Sequence, residues 1–155
     1  MARTKRQQRP GRYIQRLDGK EVRLWPLRGH LFVCAYGCCC GHEEKGYPPV
    51  PVDLYHQEWE RRDLARHIHL TFTQCLGKCA LANVAFLLFE GRAYWFQGMT
   101  QEAILALYDF MEALVQHGPD TPLPDILAPR LFDPFTWSEA PGIPTPAEAT
   151  KGEAS

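Results

Sequence analysis

Phe32-Val33-Cys34-Ala35-Tyr36-Gly37-Cys38-Cys39-Cys40-Gly41 and, further along, Gln74-Cys75-Leu76-Gly77-Lys78-Cys79 together hold all six cysteines of a 155-residue chain. Thiols gathered into two short segments, with none elsewhere, point to a metal or cluster site and away from a disulfide framework. What the remaining residues must decide is whether the two segments meet.

Residues 31 to 34 are a short apolar run that reads as a strand buried on both faces, and the first cysteine segment leaves its C-terminal end. Gly46 and Pro48-Pro49-Val50-Pro51 make the following loop stiff and extended. Asp53 then reads as the N-cap of a helix over 54 to 66, with Tyr55, Trp59 and Arg62 along one side. His67-Ile68-His69-Leu70-Thr71-Phe72 alternates, so Ile68, Leu70 and Phe72 share one face of a strand that delivers Cys75. Residues 84 to 89 and 93 to 96 flank Glu90-Gly91-Arg92 as an antiparallel hairpin. Thr100 caps a second helix to about residue 115, with Ile104, Leu107, Tyr108, Met111, Leu114 and Val115 at helical spacing, and Gly118-Pro119 ends it.

The order is strand, helix, strand, hairpin, helix: an α/β fold with a mixed four-stranded sheet. A right-handed crossover through the first helix makes its two flanking strands parallel and adjacent. Adjacent strands lie about 4.8 Å apart and end on the same edge, where open α/β sheets keep their ligands. Both cysteine segments leave from that edge, so their thiols meet.

Four converging thiolates suit either Zn²⁺ or a 2Fe-2S cluster. Zinc knuckles use Cys-x2-Cys pairs, whereas Cys75 and Cys79 are separated by three residues, which favours the cluster. The triple cysteine leaves the second ligand open among Cys38, Cys39 and Cys40. A Rieske centre needs a second Cys-x2-His that Cys79-Ala80-Leu81-Ala82 does not supply, and no helix begins near Cys34 as a thioredoxin-type dithiol requires.

With Cys34 and Cys39 chosen, the pattern is Cys-x4-Cys-x35-Cys-x3-Cys. It resembles the thioredoxin-like 2Fe-2S ferredoxins, including the ferredoxin-like subunit of respiratory NADH dehydrogenase. The resemblance covers residues 31 to about 115. It implies a thioredoxin-like core and a 2Fe-2S cluster on Cys34, Cys39, Cys75 and Cys79, with Cys38 or Cys40 as the alternative second ligand. Cys38-Cys39-Cys40-Gly41, Lys45-Gly46, Pro48-Pro49-Val50-Pro51, Leu70-Thr71-Phe72, Cys75-Leu76-Gly77 and Leu81-Ala82-Asn83-Val84 further resemble ferredoxin-like proteins found with cobalamin biosynthesis genes. The implied function is a one-electron carrier, not an enzyme, working between a redox protein donor and acceptor. The alternative is a metal-binding module, with structural zinc or metal delivery to a chelatase.

The other polar and aromatic residues have plainer readings. Lys78, between two ligands, offsets anionic charge or is a solvated docking contact. Gly41 and Gly77 bring backbone N–H groups to sulfur or serve tight turns. His42 is a weak substitute for a thiol, and His67 and His69 are surface residues. Tyr94, Trp95, Phe96 and Trp59 read as packing. Glu43, Glu44, Asp53 and Glu58 are scattered carboxylates with no catalytic pairing, and no nucleophilic triad or phosphate loop is present.

Charge is close to balanced but uneven: nine of the 17 Lys and Arg residues lie in the first 30, against two of the 18 Asp and Glu. Residues 1 to 10 read as a disordered basic tail, with no nucleic-acid motif behind it. Asp18-Gly19 supplies a type I′ turn for a hairpin over 12 to 25. No apolar run reaches the about 20 residues of a membrane span or the length of a signal peptide, so a cytoplasmic protein with reduced thiols is expected. The chain divides into an arm and hairpin (1 to 29), the core domain (30 to 118) and an extension (119 to 155) that holds eight of the 13 prolines. Prolines exclude a regular element there, yet Leu127, Leu131, Phe132 and Trp137 are too apolar for a free linker. That apolar tail packs on the body or a partner and admits a homodimer; its last fifteen or so residues read as disordered.

Overall fold

The computed structural model describes residues 11–77 and 79–135, with the backbone only of Cys79. The basic tail, Lys78 and the end of the extension, including Trp137, lie outside the described residues.

β1 (Arg12–Gln15) and β2 (Glu21–Leu24) form the first hairpin, with Arg12 opposite Leu24 and Gln15 opposite Glu21. Its turn differs from the expected type I′. Only Gly19 has a positive φ, 84°, and the Arg16 N–H donates to the Lys20 carbonyl at 2.8 Å. This is the three-residue connection in which a type I turn ends in a left-handed glycine. Asp18 stays at negative φ because its carboxylate accepts the Lys20 N–H at 3.1 Å, a local bond that does not need the left-handed form.

The core follows as β3 (Gly29–Cys34), α1 (Val52–Arg61), β4 (Ile68–Thr73), β5 (Ala85–Phe89), β6 (Arg92–Phe96) and α2 (Gln101–His117). Its sheet runs β4-β3-β5-β6, with β3 and β4 parallel and the other pairs antiparallel. This is the mixed four-stranded sheet with two helices that the order of elements implied. The type I′ turn occurs at Glu90-Gly91, where φ is 44° and 83°.

α1 is shorter than the expected span. Pro51 occupies the N-cap at φ −78° with no side-chain cap, and Asp53 lies inside the first turn, where its charge favours the helix N-terminus. The helix ends at Arg61 because Asp63 turns left-handed, φ 56°, and Leu64–Arg66 is a separate 3-10 turn. α2 begins as expected: the Thr100 hydroxyl accepts the Ala103 N–H at 3.3 Å.

Alternation on the strands sorts the sheet into two faces. Leu31, Val33, Ile68, Leu87, Phe89 and Phe96 point into a core shared with Tyr55 of α1 and with Ile104, Leu107, Tyr108, Met111 and Leu114 of α2. Within it the Tyr108 hydroxyl donates to the Tyr55 carbonyl at 2.5 Å. The other face carries a row of stacked rings, His30 on Phe32, Phe32 on Phe86 and Phe86 on Trp95, with centroids 3.9, 5.7 and 4.3 Å apart.

The extension lies along the outer edge of β6. The Gln97 N–H donates to the Arg130 carbonyl at 2.9 Å and the Phe132 N–H to the Trp95 carbonyl at 3.0 Å, with Leu131 bridged to Phe96. Among its described residues the regular piece is the 3-10 turn Ala128–Arg130, which tolerates Pro129 near its start. Leu127 is fully buried in the main core. Among the described residues no helix is long and apolar enough to cross a membrane.

Arg62, nearly buried, ties α1 to α2: it reaches Glu58 at 2.8 Å, Asp109 at 2.5 Å and Glu112 at 3.2 Å. Arg61 and then Arg62 hold the Glu58 carboxyl down at about 2 from an ordinary 4.5. A carboxyl depressed in the folded state stabilises above its unfolded pKa and loses that contribution as pH falls through the folded one. Glu58→Gln is therefore expected to cost about 1–2 kcal/mol at pH 7. The difference from the parent chain should shrink between pH 4.5 and 2, read from urea midpoints across that range.

Candidate metal centre

Cys34 is the last residue of β3 and stands opposite Thr73, the last of β4. The chain leaving β3 bends at once toward β4, because the N–H groups of Ala35 and Tyr36 both donate to the Thr73 carbonyl, at 3.0 and 3.2 Å. Gly37 completes the approach. A Cβ built there would lie 2.9 Å from Cys75 Cα, 3.0 Å from Cys75 N and 3.0 Å from Cys34 Sγ. One point thus touches the sulfur of the first segment and the backbone of the second, and only hydrogen fits it.

Cys34 and Cys40 are both buried. Burial, foremost, and a hydrogen bond with the Cys34 thiol push the Cys40 thiol up to about 12, and the charges of Cys34 and Cys75 act in the same direction. Cys34 and Cys40 are thus hydrogen-bonded neighbours, and Cys75 is near enough for its charge to act on Cys40. Cys39 is half-buried beside them and Cys38 is exposed. Cys75 sits at the exposed side, where the Gly77 N–H, carried by a residue at φ 88°, donates to its Sγ at 3.2 Å. Cys79 opens the 3-10 turn Cys79–Leu81; its side chain, like Lys78, lies outside the described atoms. Among the described residues no three His, Cys, Asp or Glu side chains are already arranged as a metal-binding group. Cys34 and Cys40 pair, and Cys75 approaches them from the second loop.

Neighbouring polar groups brace the loop instead of lining the pocket. His42 spends both ring nitrogens, one 2.6 Å from Glu44 Oε1 and the other 2.8 Å from the Gly37 carbonyl, and these two partners, Glu44 first, raise its pKa. It holds Gly37 in place and has no nitrogen left for a metal. Lys45 donates to the Cys38 carbonyl. Asn83 is the buried polar side chain among the described residues. Its Oδ1 accepts the Gly41 N–H at 3.0 Å and its Nδ2 donates to the Pro48 carbonyl at 2.9 Å, pinning the cysteine loop to the prolyl loop. Gly41, at φ 80°, thus turns its N–H to Asn83 and not to a sulfur.

The walls are apolar. Cys34 and Cys40 share a buried cluster with Val84 and Phe132, backed by Val50, Leu76, Leu81, Ala82 and Trp95. Sequence reasoning named Asn83 only within the Leu81-Ala82-Asn83-Val84 motif and Phe132 only as part of an apolar extension that packs on the body or a partner, and gave neither a place at the thiols. The signal for Asn83 was available, since a single amide between Ala82 and Val84 in an apolar run must be either bonded or exposed. Phe132 carried a signal for packing, its apolar side chain in a proline-rich segment, but none for where it packs. Tyr94, Trp95, Phe96 and Trp59 pack, as read, and the Trp59 indole donates to the Ile68 carbonyl at 2.7 Å.

No protein-family model matches the chain, and no curated protein does. Among solved structures it is similar to a thioredoxin-like 2Fe-2S ferredoxin from Aquifex aeolicus, at 18% identity over 70% of this chain and 96% of that one, with a TM-score of 0.44. A second structure, of the wild-type Aquifex aeolicus ferredoxin, gives 20% identity over 59% of this chain and 86% of that one, with a TM-score of 0.37. Likeness of this order transfers no ligand from one chain to the other.

Two substitutions test the architecture. Gly37→Ala forces backbone against backbone and is expected to cost about 1–3 kcal/mol in urea unfolding. Asn83→Ala leaves the Gly41 N–H and the Pro48 carbonyl without their partner and is expected to cost about 2–3 kcal/mol in the same measurement.

Proposed function

We propose that the protein is a one-electron carrier, a ferredoxin, with a single 2Fe-2S cluster held by Cys34, Cys40, Cys75 and Cys79. The observation that carries this reading is the approach of the Cys75 loop to the paired Cys34 and Cys40 thiols beside the ends of two parallel strands. On this reading Cys40 takes the second position, which the family resemblance gives to Cys39, because it is Cys40 that lies buried against Cys34.

The donor set fits the group. The pocket's described donors are sulfur, His42 is engaged elsewhere, and the Gly77 N–H supports charge on Cys75. Such N–H to sulfur bonds, together with burial, are the levers by which a protein tunes an iron–sulfur site. When bound, the cluster supplies reversible one-electron oxidation and reduction with little movement of its ligands. The residues of this chain do the rest. The Cys40 thiol, held up at about 12, keeps its proton at neutral pH until metal displaces it, so loading releases protons and is opposed by acid. Val84, Leu76, Leu81 and Phe132 exclude water from the buried sulfurs. Cys75 and the exposed ring of Tyr36 form the open rim at which a redox partner comes within reach.

On this reading the chain has no substrate of its own, and the donor and acceptor are other redox proteins. The narrower sequence resemblance, on the cysteine, prolyl and Leu81-Ala82-Asn83-Val84 motifs, supports a reductive step of corrin synthesis as the destination of the electrons.

The test is the full-length protein purified without oxygen. A coloured sample with about two irons and two sulfides per chain, and a paramagnetic signal on reduction, is expected. Cys34→Ser, Cys40→Ser, Cys75→Ser and Cys79→Ser should each lose most of the iron, while Cys38→Ser and Cys39→Ser keep it. A colourless protein carrying one zinc overturns the carrier reading. Iron lost in C39S and kept in C40S returns the second position to Cys39.

A further inference from the structure

Phe132 comes from a segment remote in sequence from both cysteine loops, yet it is 5% exposed and buried in the same apolar cluster as Cys34, Cys40 and Val84. Its position is fixed from several sides. Its N–H donates to the Trp95 carbonyl at 3.0 Å, Leu131 bridges to Phe96, and Arg130 donates to the Gly98 carbonyl. Leu127, at the start of the same stretch, is sunk in the main core. The ring of Phe132 lies 6.0 Å from that of Trp95, which is itself stacked on Phe86 at 4.3 Å. Phe135, three residues on, meets the edge of Trp95 from outside and is 81% exposed.

The strands, the two cysteine loops and the braces on them would assemble the thiols without this segment. What it adds is a side of the pocket that no element of the four-stranded core provides. We propose that residues 127 to 133 are a fixed cover over the thiol site, and that Phe132 is a positioning residue that keeps water from the sulfur atoms of Cys34 and Cys40. The proposal deepens the ferredoxin reading and rests on it only for what the thiols hold. The cover acts in two ways. An aromatic ring in the wall removes the water through which a small electrophile, oxidant or chelator reaches sulfur. It also lowers the local dielectric, which disfavours the extra negative charge of a reduced cluster and so sets its potential lower than in an open site.

Phe132→Ala tests this in the full-length chain. Any bound metal is first removed with a chelator under reducing conditions, and circular dichroism confirms that parent and variant remain folded. Iodoacetamide labelling, followed cysteine by cysteine by mass spectrometry, is expected to run at least about tenfold faster at Cys34 and Cys40 in the variant, since access controls thiol reactivity. Exposed Cys38 should label at the parent rate in both, as an internal standard. Phe135→Ala, which removes a ring from the outer side of Trp95, should leave all rates unchanged. Parent rates at Cys34 and Cys40 in F132A overturn the cover. Should F132A fail to fold, Phe132→Leu keeps an apolar plug without the ring and is expected to show a rise of several-fold, and an unchanged rate there also overturns it.

Iron-loaded protein gives a second readout: F132A should release iron to a chelator faster and show a higher midpoint potential. The two proposals fail separately. Metal-free, colourless protein whose Cys34 and Cys40 are unmasked by F132A keeps the cover and discards the cluster. Iron-loaded protein whose thiols and iron release are indifferent to F132A does the reverse.

Discussion

The parallel pairing of β3 with β4 is the constraint on which the rest depends. A parallel pair cannot be joined by a tight turn, so the chain must cross over through α1, and both strands then finish at one edge of the sheet. Cys34 faces Thr73 there, and the loops that follow touch at Gly37. Had the two strands run antiparallel, Cys75 would leave from the opposite end of β3, about 20 Å away for strands of this length. A slip of one residue would be nearly as damaging, because it would turn Cys34 and Leu31 to the wrong faces at once. The core side chains that fix the register therefore also fix the site.

Fold and site draw on different physics. The helix face of the sheet is an ordinary apolar core, closed by the Tyr108 to Tyr55 bond and clamped by Arg62 across the helices. The thiol site instead holds a group, Cys40, that resists ionising where it is. Burial and a neighbouring thiol raise the Cys40 pKa, and opposing these is a backbone hydrogen bond at Val84. Cys40 therefore stays protonated at neutral pH and adds no buried charge to the folded chain. The scaffold is built by hydrophobic burial, and the sulfur chemistry is added at its edge.

Much of this was legible in the residues. The alternation of 67 to 72, the apolar run before Cys34, the hairpin at Glu90-Gly91 and the Thr100 cap each encode their structure locally, and together they specify the parallel edge. Local signals also misled. Asp18-Gly19 suits a type I′ turn, but the Asp18 carboxylate found a nearer partner in the Lys20 N–H. Asp53 looked like a cap, while Pro51 already fixed the start of the helix. Within Cys38-Cys39-Cys40 the residues left the choice of ligand open and the family resemblance favoured Cys39; which of the three is buried against Cys34 is a property of three dimensions, and it is Cys40. That Phe132 packs was legible from its apolar character, but its place beside the thiols was not, because its neighbours along the chain say nothing of Trp95.

The covering segment also ties the thiols to the main core. Leu127 is buried among the side chains of the helix layer, and Phe132, five residues on, is buried with Cys34 and Cys40. Two backbone hydrogen bonds, Gln97 to Arg130 and Phe132 to Trp95, hold the piece of chain between these anchors against β6. Packing of the helix layer and shielding of the sulfur atoms are thus linked through one short stretch, and a change that loosens either anchor is felt at the other.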